Sequence, residues 1–174
     1  MLYTKKGDNG TTKIFGCDQR ISKSSAIAEA LGSLDEANSF LGVCKAQDET
    51  NFDLLNQIQE DLFIIQAQVA GADKKIEMKK VERLGNIVDE IEKQLPPIKT
   101  FLISGANLLS ANFDFARTVA RRAERRVVAV AEENLVKIEP ETLAYLNRLS
   151  SVLYALARHS AHKSGVRETA PKYK

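Results

Sequence analysis

Between Ala116 and Val130 the chain reads ARTVARRAERRVVAV, and no other stretch restricts its folding so tightly. Arg117, Arg121, Arg122, Arg125 and Arg126 fall close together, answered inside the run only by Glu124. Neither Gly nor Pro interrupts it, and alanine, valine and arginine favour or tolerate helix, so the segment is predicted helical. At about 100° per residue Arg117, Arg121 and Arg125 form one stripe, with Glu124 beside it. At about 1.5 Å of rise per residue the stripe is about 12 Å long, roughly the reach of a triphosphate. Val119, Ala120, Ala123, Val127 and Val130 take another face, suited to a bundle core, and Arg122 and Arg126 lie on the flank between. Like charges spaced i, i+4 destabilise an isolated helix by a few tenths of a kcal/mol per pair. Negative charge must therefore come from elsewhere in the fold or from a ligand, unless the arginine stems simply cover apolar surface on a solvated face.

The rest of the chain reads as helix after helix. One runs from Ser25 to Gln47 with Ile27, Leu31, Leu34 and Leu41 on a stripe; a second starts near Asn51 and carries Leu55, Ile58, Leu62, Ile65 and Val69. Thr50 and Asp53 suit a capping box at its start. A third covers Met78 to Leu95 and stops at Pro96-Pro97. The arginine helix extends over Asn107 to Glu133, and a fifth, with Pro140 suited to its first turn, over Glu141 to Lys163, ended by Gly165. Strand-like patterns are confined to LYT at the start and FLI at 101–103, and the tail RETAPKYK is expected to fray. The expectation is one all-α domain over residues 1–174: a loop arm at 1–22, a five-helix bundle at 25–164 and a tail at 165–174.

At 174 residues the chain is long enough to bury a core, and 44% hydrophobic with 28% charged residues is ordinary globular composition. A net charge of +2 argues against nucleic acid or a membrane surface as partner. Cys17 and Cys44 match no metal or redox spacing. No apolar leader and no run of membrane-span length is visible, which makes the cytoplasm the expected location.

The arm Tyr3–Lys13 has the chemistry of an anion cradle. Gly7 and Gly10 permit positive φ, so backbone N–H groups can converge on one cluster of oxygens. Thr4, Thr11 and Thr12 add hydroxyls, Lys5, Lys6 and Lys13 add charge, and Asp8 suits a metal ion or a ribose hydroxyl. No Gly-Lys-Ser/Thr closes it, so it is not a Walker A loop; a polar arm with two turns would look the same. Asp35 lies on the flank of the first helix's stripe, with Asn38 nearer its centre. A carboxylate there is either solvated or met by a cation, the arginine helix being the obvious supplier. Asn147-Arg148 reads as a surface pair or as an amide reaching a ligand inside the bundle. His159 and His162, at i, i+3, have metal-binding spacing but no visible third ligand.

The arm YTKKGDNGTTKIFG, the DEANSFLG block, ARTVARRAERRV and NRLSSVLYALAR occur in this order, and together the chain resembles the PduO-type ATP:cob(I)alamin adenosyltransferases from about Tyr3 to Arg158. The resemblance implies a homotrimer of five-helix bundles with sites between subunits, one subunit's arm and a neighbour's arginine helix enclosing ATP. On that basis Thr4, Lys5, Gly7, Asp8, Gly10, Thr11, Thr12, Lys13 and Lys23 line up with the ATP-binding arm. Arg121, Arg122, Glu124, Arg125 and Asn147 line up with the helical ATP contacts. Arg117 matches the arginine that pairs with the aspartate at Asp35, and Phe101 looks like the phenylalanine under the corrin ring. The implied catalytic set is Arg121, Arg117 and Asp35, with Mg²⁺ accompanying ATP and held by Glu124 or Asp8.

The implied reaction moves the 5′-deoxyadenosyl group of ATP to the cobalt of cob(I)alamin. Two departures fall on the corrinoid side. The usual Phe-x-x-Pro-Gly-Gly is Phe101-Leu102-Ile103-Ser104-Gly105-Ala106, and Asp114 stands where a histidine is common. They keep open a non-catalytic ATP- and corrinoid-binding regulator or carrier. A nucleic-acid binder using the arginine helix is disfavoured by the low net charge and by Glu124 at its centre.

Overall fold

A computed structural model describes residues 3–14 and 19–173, so Cys17 and the Phe15-Gly16 end of the arm motif lie outside the described residues. The described elements are β1 (Thr11–Lys13), β2 (Arg20–Ser22), α1 (Ala26–Lys45), α2 (Phe52–Val69), α3 (Met78–Glu92), α4 (Leu108–Glu132) and α5 (Pro140–Lys163). The predicted five-helix bundle is present, with boundaries moved by a few residues at most.

The helix starts follow local chemistry. Ser25 caps α1 by accepting from the Ala28 amide, and Asn107 caps α4 by accepting from the Ser110 amide at 2.7 Å. Pro140 opens α5, where its missing N–H costs nothing. The capping box proposed for α2 does not form. Asn51 is the N-cap, and it is fixed from outside the helix by Asp48, whose carboxylate accepts from the Asn51 amide N–H at 3.1 Å and from its side chain at 2.7 Å.

Packing follows the apolar stripes. Leu34 and Leu41 of α1, all five stripe residues of α2, and Val119, Ala120, Ala123, Val127 and Val130 of α4 are buried. Each fully buried leucine or isoleucine contributes about 2 kcal/mol against leaving it in water. Helix α4 packs between α1 and α5, α5 also packs on α3, and α1 on α2. The bundle closes through a polar knot. Asp61 of α2, 1% exposed, accepts from Lys80 of α3 and from the Tyr145 hydroxyl of α5 at 2.9 Å, with Arg83 of α3 at 3.6 Å. Burial, with the Asp61 charge behind it, pushes the Tyr145 phenol far up, so it serves only as a donor. Cys44 is a free, buried thiol pushed up to about 12 by that burial.

Two sequence expectations fail at the ends of the chain. The arm is not all loop: β1 and β2 pair antiparallel, Thr11 opposite Ser22 and Lys13 opposite Arg20, while Tyr3-Thr4 and FLI are not strands and Leu2 lies outside the described residues. The pairing was hidden because three-residue strands show too little alternation to read. Nor is the tail loose near its start. Glu168 pairs with Arg158 of α5 at 3.2 Å, and the Thr169 carbonyl accepts from the Ile103 amide at 2.8 Å.

Candidate active site

Helix α4 presents its arginines in two rows, as a 3.6-residue period requires. The flank row is answered by α1: Arg122 pairs with Glu36, and Arg126 lies 3.8 Å from Glu29. The stripe is answered differently along its length. Arg117, partly buried, has its Nε 3.7 Å from Asp114 one turn earlier, and its guanidinium sits 5.7 Å from the centre of the Tyr154 ring. Arg121 and Arg125 are exposed and make no hydrogen bond or ion pair among the described residues. Between them Glu124 accepts from the Asn147 side chain of α5 at 3.1 Å. This bond holds the carboxylate against α5 and leaves its second oxygen for another partner.

The stripe borders an open cleft of about 810 Å³. Its walls are Arg117, Arg121 and Asp114 of α4, Ser150, Ser151 and Tyr154 of α5, and the loop from Ile98 to Ser104. Phe101, 78% exposed, stands on that loop and lines the same cleft as the guanidinium groups. The result is an apolar ring and a cationic row facing one volume, with hydroxyls at its floor. Burial raises the Tyr154 phenol above its usual range, so it stays protonated and able to donate.

The pairing implied for Arg117 and Asp35 is not made within one chain. Arg117 turns to Asp114 and Tyr154 instead, and Asp35 is exposed on α1. Asp114, the position that departs from the family pattern, is 8% exposed; its carboxylate accepts from the Gly105 amide at 3.3 Å.

The arm is internally braced. Arg20, which sequence reasoning passed over, donates through Nε to the Thr11 hydroxyl at 2.7 Å and through Nη2 to the Lys6 and Thr11 carbonyls at 2.5 and 2.8 Å. Asn9 Oδ1 accepts from the Thr11 amide and hydroxyl, and the Thr4 hydroxyl from the Lys6 amide. The positive φ values fall at Lys5 (59°) and Gly10 (79°), not at Gly7. At Gly7 the constraint is space: a Cβ there would lie 3.2 Å from both the Lys23 ammonium and the Thr11 carbonyl, so those neighbours would have to give by a few tenths of an ångström. Lys23, placed in the ATP set, thus folds back over the arm, its amide donating to the Gly10 carbonyl at 2.9 Å. Thr4, Lys5, Asp8, Thr12 and Lys13 share this braced segment, a turn-rich loop leading into β1.

Several residues of the site were missed. Ser150, Ser151 and Tyr154 follow Asn147 at i+3, i+4 and i+7, a helix face whose spacing was readable once Asn147 had been singled out. Among the described residues no group of three His, Cys, Asp or Glu is placed to hold a metal, so the His159–His162 pair stands alone. Burial lowers the proton affinity of His159. No helix of the described residues is long and apolar enough to cross a membrane.

The bundle thus sets the guanidinium groups of Arg117 and Arg121 and the exposed ring of Phe101 around one cleft. The chain belongs to the cobalamin adenosyltransferase family, whose model matches residues 2–160. It is 37% identical to the corrinoid adenosyltransferase PduO of Salmonella typhimurium over 99% of this chain and 54% of that protein, so it spans about half that relative's length. A corrinoid adenosyltransferase of Citrobacter freundii is 37% identical over 98% of this chain and 96% of its own. Among solved structures, a variant PduO-type ATP:corrinoid adenosyltransferase from Lactobacillus reuteri, complexed with cobalamin and ATP, superposes with a TM-score of 0.92. It is 28% identical and covers 99% of this chain and 97% of its own.

Proposed function

We propose that the protein transfers the 5′-deoxyadenosyl group of ATP to the cobalt of cob(I)alamin, releasing inorganic triphosphate. The observation that carries this reading is the cleft itself, where Phe101 and the Arg117–Arg121 row face one volume. Family membership and relatives named as corrinoid adenosyltransferases support it.

Cobalt(I) is itself a strong nucleophile and attacks the 5′ carbon of ATP; the Co–C bond forms as the C–O bond to the triphosphate breaks. No protein base is needed, and the chain's work is alignment and charge stabilisation. Guanidinium groups suit the departing triphosphate, because they bond its oxygens in a fork and do not deprotonate. Arg121 and Arg125, without a hydrogen bond or ion pair among the described residues, are the donors available to it, and Arg117 is oriented by Asp114 and Tyr154. Arg122 joins the ATP set only by exchanging Glu36 for phosphate. Asp35, exposed on α1, is proposed to meet Arg117 across a subunit boundary. Phe101, by occupying the lower face of the corrin, excludes the lower axial ligand and makes cobalt(II) easier to reduce.

Mg²⁺ bound with ATP would neutralise part of the triphosphate charge. A single carboxylate fits it, since Mg²⁺ takes one or two carboxylates plus phosphates and keeps its waters. Glu124 has an oxygen beyond its bond to Asn147, and Asp8 in the arm is the alternative.

We further propose a homotrimer, in the cytoplasm, whose sites lie between subunits. The side-chain bonds of Thr4, Asn9, Thr11 and Arg20 stay within the arm, and Asp35 meets no cation among the described residues. Beside Asp35's helix face, Phe115 is 55% exposed and meets Phe40 edge-on at 4.7 Å, an apolar patch suited to a neighbour. Sedimentation is expected to give one species of three chains, and a stable monomer at working concentration contradicts the assembly. For the chemistry, the protein mixed with ATP, Mg²⁺ and chemically reduced cobalamin is expected to give the visible spectrum of adenosylcobalamin; binding of both substrates without that spectrum rejects the reading.

A further inference from the structure

The loop that carries Phe101 runs from Pro96 to Gly105 without regular secondary structure, between two cavities. One is the cleft. The other, about 500 Å³, lies between the loop and the start of the tail, bordered by Pro96, Ile98, Arg158, His162, Val166 and Glu168. A loop open on both sides is not placed by packing; its position depends on its tethers.

Those tethers are few and specific. On the cleft side the Gly105 amide donates to Asp114 at 3.3 Å, with Gly105 at a φ of +95° that strains any other residue. On the far side stands Arg158, whose side chain is 7% exposed. Its Nη2 donates to the Pro96 carbonyl at 3.1 Å and its Nε to Glu168 at 3.2 Å. One residue further, the Thr169 carbonyl accepts from the Ile103 amide at 2.8 Å. A guanidinium this buried is tolerated only when its charge is met, and Glu168 is the carboxylate that meets it. The tail segment 166–169 is thereby drawn along the loop and bonded to it two residues beyond Phe101.

We propose that Arg158 and Glu168 are positioning residues for the corrinoid step, the tail acting as a strap that holds Phe101 at the lip of the cleft. The proposal rests on the corrinoid reading of that cleft. Arg158 does not line the cleft and has no hydrogen bond or ion pair with an α4 arginine among the described residues; it reaches the reaction through the loop and, by charge, through Tyr154 in the cleft wall, on which Arg158 and Glu168 act in opposite senses. Loss of the strap is accordingly felt by the corrinoid and not by ATP.

The test compares the full-length parent with Glu168→Gln, which keeps the shape of the side chain and removes its charge, and with Arg158→Lys. Hydrogen exchange of the ligand-free protein reads the strap directly: the Ile103 amide is expected to exchange about tenfold faster in Glu168→Gln. With ATP bound, the fraction of cob(II)alamin showing the electron paramagnetic resonance signal of the form without a lower axial ligand is expected to fall in both variants. The KM for cob(I)alamin is expected to rise about fivefold while that for ATP stays within about twofold. Unchanged Ile103 exchange, or KM values for both substrates rising together, overturns the proposal. A parent that turns over nothing rejects the functional reading instead, and Ile103 exchange then decides alone whether the strap holds the loop.

Discussion

Asp61 shows how much one residue can organise without touching the site. It lies beside Ile58, Leu62 and Ile65, where a carboxylate is costly, and it is buried because two donors, Lys80 and the Tyr145 hydroxyl, and the Arg83 charge converge on it from two other helices. Lys80 and Arg83 are each about one-third exposed, so water screens part of their attraction and the knot is worth less than a dry ion pair. Asp61→Asn is expected to cost about 2 kcal/mol, read as a lower urea midpoint with unchanged slope. A loss below about 0.5 kcal/mol would mean that the knot is solvated in practice. This knot was readable in principle, since Asp61 interrupts the apolar face of α2, but its partners are distant in sequence and nothing local names them. Asp114 is a similar case: the sequence marked it as a departure, and only the fold gives it a tether to Gly105 and an arginine to orient.

Helices were legible where one periodicity and one set of stop signals agreed. For α4 the absence of Gly and Pro and the valine-alanine face pointed to the same element, and the division of its arginines into stripe and flank follows from the 3.6-residue period. The arm was less legible. Its hairpin depends on Arg20 reaching back to Thr11 and Lys6, a side-chain clamp that neither propensity nor spacing reveals. The break after α3 was recognised by Pro96-Pro97, yet the tethering of the following loop by the tail was missed, because a short polar terminus usually frays and no local signal says otherwise. At this scale Phe101 gives the clearest prediction. Phe101→Ala is expected to impair reduction of bound cob(II)alamin by at least about tenfold while leaving the ATP dissociation constant within about twofold. Spectroelectrochemical titration with parallel calorimetry checks both; equal losses in the two would remove Phe101 from the corrinoid face.

For the molecule as a whole, the bundle is a rigid support that brings the stripe on α4, the α5 face from Asn147 to Tyr154 and the Phe101 loop around one cleft. Equally informative are the groups left open among the described residues: Arg121 and Arg125 without a hydrogen bond or ion pair, and Asp35 exposed. These are the groups that assembly and substrate would complete, which is why the sequence could name them and not the pairs they form. The central claim is that the guanidinium row takes up the charge of the departing triphosphate, and Arg121 is its most accessible member. A single-turnover reaction of ATP with pre-reduced cob(I)alamin, followed by the appearance of the adenosylcobalamin spectrum, tests this directly in the parent and in Arg121→Ala. Loss of one such donor raises the barrier by about 3–4 kcal/mol. The variant should therefore be slower by at least about a hundredfold, with helix content unchanged by circular dichroism. A variant that reacts within about tenfold of the parent contradicts the account.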